Sequence, residues 1–488
     1  MEMSLEDLER RIRKEIDYLR YPQREWVPDR THEGQPVANV LIVGGGQTGM
    51  SLAFALQLER IGKVEVIDAN GPAHAGPWVD FARMLTLRSP KYLTGPDLGM
   101  PSLTPRAWYE ARYGAAAWAD TGKIGRETWH EYLQWYRRVL GIPVRHNLRV
   151  TRIRPRGPYL AVDLDNGETR LARRVVLATG LEQGGIHIPE MVSANLPRER
   201  YAHTTEAIDF ARLRGKRVGV LGAGASAFDN AATALEHGAL SVDLCARRED
   251  LPRINPYRWM ENVGFLAQFA ELDEATRWRM ARRIFELNQP PPQETVWRCR
   301  RHSGFALHTG CPWTAVGMRE DAISVDTPQG GFSFDFVIVG TGFAIDLSKR
   351  AEITALAPLI ATWRDRYEPP EGEQNAALAK FPYLGPDCQF RERLPGTAPY
   401  LHQIYDFTFA ALPSTGLGGG NIGGIKYGVR RVVSGLTKSL FVEDAEAHYD
   451  SLMKYADHEL IDLQGVPEGY EPPKAHADFL PAAMRPEG

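Results

Sequence analysis

Two runs of consecutive apolar residues, each followed by a glycine-rich turn and a helical pattern, organise the first half of the chain. Residues 40–43 and 218–221 have the length and valine content of strands buried on both faces of a parallel sheet. A helix and a second apolar strand follow each run, as in a parallel strand–helix–strand unit. These helices and second strands are predicted at 50–60, 64–67, 228–237 and 242–245.

The turn in each unit is typical of a dinucleotide-binding site. Its first glycine permits a tight bend, its second lets backbone N–H groups approach a pyrophosphate, and its third position allows close helix–strand packing. The N-terminus of the following helix then binds the anion. The two turns are Gly44-Gly45-Gly46-Gln47-Thr48-Gly49 and Gly222-Ala223-Gly224-Ala225-Ser226-Ala227.

The residues that follow the second strand of each unit differ in charge. Asp68 follows the first, whereas Ala246 and then Arg247 and Arg248 follow the other. A carboxylate accepts hydrogen bonds from a ribose 2′-hydroxyl, and a guanidinium binds a 2′-phosphate through bidentate, charge-assisted hydrogen bonds. We therefore predict FAD in the first unit and NADPH in the second. A solvated basic loop is the alternative interpretation of the arginine pair.

Apolar strands that run into small turns also occur outside the two units. One follows a small hairpin or meander that begins near residue 148, and it ends in Ala178-Thr179-Gly180. Another, after the second unit, ends in Gly340-Thr341-Gly342. Such an ending lets the backbone approach a bound dinucleotide closely, although it is also found at ordinary strand ends. We predict that the chain leaves the first domain after Gly180 and returns to it near residue 330.

The predicted fold class is α/β, with two Rossmann-like three-layer dinucleotide-binding domains and the NADPH-binding domain inserted in the FAD-binding domain. A chain of 488 residues is too long for one core. The predicted parts are an N-terminal helical arm (1–35), the first part of the FAD-binding domain (36–190), the NADPH-binding domain (191–330), the second part of the FAD-binding domain (331–465) and a C-terminal tail (466–488).

Composition narrows the possible function classes. The chain is 24% charged with a formal net charge of −3, so no basic bias indicates nucleic-acid binding. The 4 cysteines form no C-x-x-C pair and the histidines show no metal-binding spacing, so neither a redox dithiol nor a metal site is predicted. An acidic N-terminus and the lack of a long apolar run predict a cytoplasmic protein without a membrane span.

Two segments allow more than one interpretation. Residues 251–315 alternate aromatic residues with arginines. They form either an amphipathic helical cap with aromatic residues in the core and arginines in solvent, or the lining of a pocket for an anionic or amphipathic substrate. Residues 416–424 are rich in glycine and precede a helical pattern. That helix either points its N-terminus at the flavin, where its dipole stabilises negative charge, or follows a loop without a ligand.

The order of these motifs resembles the class B flavin monooxygenases, a group of flavin-containing, Baeyer–Villiger and N-hydroxylating monooxygenases. Gly76-Pro77-Trp78 is similar to the Gly-Gly-x-Trp of this family, which makes Trp78 a candidate FAD contact. Arg88 stands where flavin-containing members place an asparagine near the flavin. His203 is similar to the histidine of the family fingerprint. The resemblance therefore makes Arg88 and His203 candidate catalytic residues.

The resemblance also implies a reaction. NADPH delivers hydride to FAD, and the reduced flavin captures dioxygen as a C4a-(hydro)peroxyflavin that oxygenates a small organic molecule. The implied partners are a small-molecule substrate and dioxygen, with neither nucleic acid nor membrane. The alternatives are an NADPH-dependent flavoprotein reductase that passes electrons to a carrier, and a non-catalytic flavin-binding protein.

Overall fold

A computed structural model of the chain describes residues 3–180, 185–460, 463–465 and 468–471. Met1–Val442 form one compact unit and Glu443–Gly488 form a second. Most of the tail predicted over 466–488 lies outside the described residues. No helix within the described ranges is both long and apolar enough to cross a membrane.

The strands and α-helices follow one another with short connections and several single turns of 3-10 helix. The strands β1 to β16 are Arg30–His32, Gln35–Val43, Val64–Ile67, Val144–Arg145, Val150–Arg156, Tyr159–Leu164, Thr169–Leu177, Tyr201–His203, Arg217–Leu221, Ser241–Cys245, Phe305–His308, Ala315–Arg319, Ala322–Thr327, Gly330–Phe334, Phe336–Val339 and Ile404–Asp406. The helices α1 to α15 are Leu5–Tyr18, Gln47–Leu58, Pro105–Tyr113, Ala115–Asp120, Arg126–Val139, Glu190–Ser193, Ala225–Glu236, Pro256–Met260, Val263–Gln268, Glu274–Leu287, Gln293–Arg300, Trp363–Arg366, Leu412–Thr415, Ile422–Glu443 and Ala445–Met453.

The first sheet contains the first predicted dinucleotide turn. Strands β4, β3, β2, β7 and β16 pair in parallel in that order. Strands β5, β6 and β7 pair antiparallel, which confirms the predicted meander. Strand β7 belongs to both parts, because its first half pairs with β6 while it also runs beside β2.

The second sheet contains the second turn and has the parallel order β11-β10-β9-β15-β8. A separate antiparallel sheet is formed by β12, β13 and β14. Strand β15 pairs with β9 and β8, so the predicted return to the first domain near residue 330 is wrong for this strand. Val337, Ile338 and Val339 of this strand are buried, as a position between two neighbouring strands requires. The first sheet is rejoined by β16, which pairs with β7.

The helices that follow the two turns begin earlier than predicted. Helix α2 begins at Gln47 and α7 at Ala225, each directly after a glycine at its N-cap. Both helices are buried along most of their length because each packs against strands of its sheet. The N-terminal arm packs on the body through α1, where Leu8 and Ile12 are buried.

Helices α8 to α11 form the cap predicted between residues 251 and 315, but its arginines are not all in solvent. Trp278 and Phe269 are buried in it as expected. Arg277 is also buried and donates to the Ser414 carbonyl at 2.9 Å. Arg298 is buried and forms an ion pair with Glu236 at 2.8 Å. The arginine part of that interpretation is wrong because these side chains find acceptors inside the protein.

Candidate active site

A cavity of about 330 Å³ lies at the carboxyl ends of β2, β3 and β7, the edge where open α/β sheets bind ligands. Gly44, Gly46 and Asp68 of the first unit line it, and so do Ser226 and other residues of α7 from the second. The two predicted nucleotide sites therefore open into one space, here called the shared cavity.

The first turn has the geometry that a bound pyrophosphate needs. Gly44 has a φ of +108°, and a Cβ there would lie 2.6 Å from the Ala178 carbonyl oxygen, so only glycine fits. Gly49 packs α2 directly against that turn. Gly46 is the N-cap of α2, and the space beside its Cα is open. The N–H groups at the start of α2 thus face the cavity.

Asp68 lines the shared cavity and also supports the turn. It is buried, its Oδ2 accepts from the Gly45 N–H at 2.6 Å, and its Oδ1 accepts from the Asn70 N–H at 2.7 Å. A carboxylate can accept about four hydrogen bonds, so capacity for a ribose hydroxyl is left.

Three further predicted FAD contacts lie on the same wall. Trp78 is buried and lines the cavity, with its ring edge against Trp129. Gly180 has a φ of +77°. The Thr179 hydroxyl is buried without a hydrogen-bond partner among the described residues, as expected of a group placed to meet a ligand.

The glycine-rich segment before α14 also reaches the shared cavity. Gly419 and Gly420 line it, and α14 begins at Ile422. The Thr48 hydroxyl donates to the Gly419 carbonyl and ties this segment to the first turn. Gln47 lines the same wall and accepts from the Trp129 indole at 3.1 Å. This geometry favours the interpretation in which the helix approaches the flavin.

The second turn repeats the geometry of the first. Gly222 has a φ of +112°, and a Cβ there would lie 2.3 Å from the Gly340 carbonyl oxygen. Gly224 is the N-cap of α7 and has open space beside it, and Ala225 is the first residue of the helix. Gly342 follows β15 with a φ of +79°, and its carbonyl accepts from the His187 N–H at 3.3 Å.

The structure does not bring Arg247 and Arg248 to the shared cavity. Both are exposed after the end of β10. Arg248 lines a separate open groove together with Arg253 and Arg283. The geometry suits a phosphate at the far end of a bound dinucleotide and suits a solvated loop equally well.

Arg88 is brought to the shared cavity and is paired there with a residue that motif reasoning missed. Its Nη2 donates to Asp229 Oδ2 at 3.2 Å, and Asp229 lies on α7. Asp229 is buried and also accepts from the Thr295 hydroxyl at 3.1 Å. Burial raises the pKa of Asp229, and the neighbouring Arg88 opposes that shift. The signal available in the sequence was a carboxylate in the second turn of the helix that follows the glycine-rich turn.

His203 does not reach the cavity, whose wall is formed here by Thr204 and Thr205. Its side chain is 0% exposed, and its Nδ1 accepts from the Thr205 N–H at 3.3 Å. Burial lowers the pKa of His203, so the neutral imidazole is favoured. These contacts suit a residue that orients a loop and do not support a direct catalytic contact.

Several residues of the cavity wall carry no sequence signal, because they belong to no recognisable motif and lie on segments between residues 70 and 352 that only the fold brings together. They are Asn70, Phe81, Arg83, Met84, Asn230, Phe343 and Glu352.

Comparison with known proteins identifies sequence relatives. The chain matches the model of the pyridine nucleotide-disulphide oxidoreductase family over residues 41–263. It is 43% identical over 462 residues to the FAD-dependent urate hydroxylase of Xanthomonas campestris pv. campestris, which covers 94% of this chain and 98% of that protein.

Solved structures confirm the predicted fold class. The ornithine hydroxylase of Pseudomonas aeruginosa in its reduced form superimposes with a TM-score of 0.65 at 17% identity, over 83% of this chain and 100% of that chain. The ornithine N-hydroxylase of Kutzneria sp. 744, solved with reduced FAD, NADP+ and L-ornithine, gives 0.62 at 16% identity over 83% of this chain and 100% of that one. The chain has the two-domain α/β fold of these flavin monooxygenases.

Proposed function

The chain belongs to the family of the FAD-dependent urate hydroxylase, and from this membership we propose that it is an NADPH-dependent FAD monooxygenase that hydroxylates urate. Membership makes the chain a flavin-dependent oxidoreductase. The nicotinamide donor, the substrate and the assignment of site residues are the proposed parts. The observation that carries the proposal is that one cavity is lined by residues of both dinucleotide units.

The first unit is proposed to hold FAD. The open N-terminus of α2, the buried Thr179 hydroxyl, which has no partner in the described part of the chain, and the carboxylate of Asp68 all fit this group. The proposed FAD contacts are Gly44, Gly45, Gly46, Gln47, Thr48, Gly49, Asp68, Trp78, Thr179 and Gly180.

The second unit is proposed to hold NADPH. Gly224 leaves the N-terminus of α7 open, and Ser226 places that helix at the wall of the shared cavity. A nicotinamide held at α7 would border the same cavity as the residues proposed to hold FAD. The proposed NADPH contacts are Gly222, Gly224, Ala225, Ser226, Arg247, Arg248 and Gly342.

The proposed reaction balances without any further reactant. Urate, dioxygen, NADPH and a proton give hydroxylated urate, NADP+ and water. When bound, FAD supplies the redox chemistry, taking hydride from NADPH and passing the electrons to dioxygen. The protein supplies the shared cavity, in which the buried Trp78 and Ala178 form apolar wall, and a helix N-terminus at α14 that stabilises negative charge. His203 positions Thr204 and Thr205, which form part of the wall of the shared cavity.

The test follows flavin reduction and product formation in the purified FAD-loaded protein. NADPH is added without oxygen, and the fall in flavin absorbance is recorded. Isotopically labelled dioxygen is then admitted with urate, and the mass of the product is measured by mass spectrometry. We expect one labelled oxygen atom per urate and equimolar consumption of NADPH.

Other outcomes identify the alternatives. Reduction followed by reoxidation that urate does not change, with electrons passed to an added carrier, would indicate a reductase. A flavin that NADPH and NADH both fail to reduce would indicate a non-catalytic protein. Reduction by NADH alone would overturn only the choice of nucleotide.

A further inference from the structure

A second cavity of about 210 Å³ adjoins the shared cavity, and most of its lining residues lie outside both nucleotide turns. The two cavities have Gln47, Trp78, Met84, Arg88 and Gly420 in common. A molecule in the second cavity therefore lies next to the space assigned to the flavin. Its remaining walls come from Leu87 and Ser89, from the cap after β10 and from the segment between residues 409 and 422.

The walls of the second cavity combine apolar surfaces with a polar end. Trp78, Leu87, Leu412 and Leu417 are buried apolar residues of the wall. The polar end contains Arg88, Asn255, Tyr257, Arg258 and Gln289. A small planar ring with polar edges matches this distribution, because its faces contact apolar side chains while its edges form hydrogen bonds.

Arg88 has N–H donors at this polar end that are not used within the described part of the chain. A guanidinium carries five N–H donors, and Asp229 accepts from Nη2. Its Nε is buried without a hydrogen-bond partner among the described residues. The Arg88 backbone is held as well, since its carbonyl accepts from Arg258 Nη2 at 2.9 Å. Asp229 and Arg258 thus fix a cation whose remaining donors have no acceptor in the described part of the chain.

The other groups at the polar end do not compete for Arg88. Glu261, the acidic residue of the wall, forms an ion pair with Arg258 at 3.2 Å. Burial raises the pKa of Tyr257 to about 12, with Arg88 opposing the shift, so the phenol is a neutral donor at neutral pH. The Asn255 side chain accepts from the Tyr257 N–H at 3.1 Å and holds that residue at the start of α8.

We propose that the second cavity is the urate pocket, in which Arg88 binds the anionic edge of the ring and Tyr257 donates to one of its carbonyl oxygens. This assignment rests on the proposed hydroxylation of urate. Urate is planar, carries a negative charge at neutral pH and presents C=O and N–H groups around its edge. A bidentate guanidinium selects such an anion over an uncharged ring of similar size.

The test compares an anionic and a neutral purine on the FAD-loaded protein. The Kd values of urate and hypoxanthine, which is uncharged at neutral pH, are measured by quenching of tryptophan or flavin fluorescence. Arg88→Met should raise the urate Kd by about tenfold or more and change the hypoxanthine Kd by less than about threefold. Tyr257→Phe should raise the Kd of urate by a smaller factor. Arg300→Met, a change of an exposed arginine on α11, is the matched control and should change neither Kd.

A second variant protects the test from misfolding. Arg88→Met leaves the buried Asp229 carboxylate without this partner. The double variant Arg88→Met with Asp229→Asn removes both charges and should show the same loss of affinity for urate. Asp229→Asn alone keeps the Arg88 cation and should retain the affinity for urate. Wild-type protein that binds and hydroxylates urate while Arg88→Met keeps the wild-type Kd would overturn this inference alone. Wild-type protein that neither binds nor hydroxylates urate would overturn the proposed function with it.

Discussion

Asp68 is the residue on which retention of FAD is expected to depend most. Its carboxylate accepts a hydrogen bond from the Gly45 N–H and lines the shared cavity. Asp68→Ala removes a charged acceptor, and hydrogen bonds to charged groups contribute about 1.5–3 kcal/mol. We expect the purified variant to contain little FAD and to regain it only at roughly tenfold higher added concentration. The flavin-to-protein absorbance ratio measures this, and a full flavin complement would contradict the assigned role.

Arg247 and Arg248 should decide the choice between nicotinamide nucleotides. Replacing both with Ala should weaken NADPH relative to NADH by about 1–3 kcal/mol for each lost phosphate contact. Anaerobic flavin reduction at varied nucleotide concentration gives the two affinities. Arg300→Ala with Arg319→Ala removes the same charge from exposed positions and is the matched control. Equal losses for both nucleotides would refute the proposed 2′-phosphate contact, and unchanged affinities for both would mean that the pair is a solvated loop.

At the scale of elements, one small substitution in each strand–turn–helix unit should weaken the binding of only the nucleotide that this unit is proposed to bind. Gly46 and Gly224 are the N-caps of α2 and α7, both have negative φ, and an added Cβ meets no protein atom within 4 Å. Alanine should therefore leave folding intact and hinder only a pyrophosphate that approaches the backbone. We expect Gly46→Ala to lower the FAD content and Gly224→Ala to raise the KM for NADPH while FAD is retained.

The two glycine variants serve as each other's control. Circular dichroism and the melting temperature without cofactor should match the wild-type protein for both. Wild-type affinities for both nucleotides in both variants would show that the pyrophosphates do not lie at these helix N-termini.

At the scale of the whole molecule, the buried His203 predicts a pH dependence of stability. Burial lowers its pKa below the usual 6.5, so the unfolded chain binds the proton more tightly than the folded one. The contribution of this residue to the free energy of unfolding is thus complete above pH 6.5 and falls as the pH drops toward the lowered pKa. His203→Gln removes the titrating group, so the variant should lose less thermal stability than the wild-type protein between about pH 7 and pH 5.

Melting temperatures across this pH range test the prediction. His402→Gln makes the same change at an exposed position and should keep the wild-type profile. Parallel profiles for the wild-type and His203→Gln proteins would show that other groups dominate acid destabilisation.

The sequence by itself determined the parts of the fold that depend on neighbouring residues. The two turns, their flanking strands and the meander follow from hydrophobic periodicity and from backbone geometry that only glycine adopts, and both act over a few positions. The fold class and the flavin monooxygenase resemblance follow from the order of these local signals. For the same reason Asp68 and the two turns were predictable as candidate site residues.

Only the tertiary structure decided which distant segments meet. Strand β15 joins the second sheet, and the Gly-Thr-Gly after it does not specify a sheet. The pairing of Arg88 with Asp229 joins residues 141 positions apart, and the burial of His203 and Arg298 depends on surrounding elements. Such contacts are set by packing and by the need of buried polar groups for partners, which no local pattern encodes. The second cavity exists for this reason, since its walls are assembled from segments spread between residues 47 and 422.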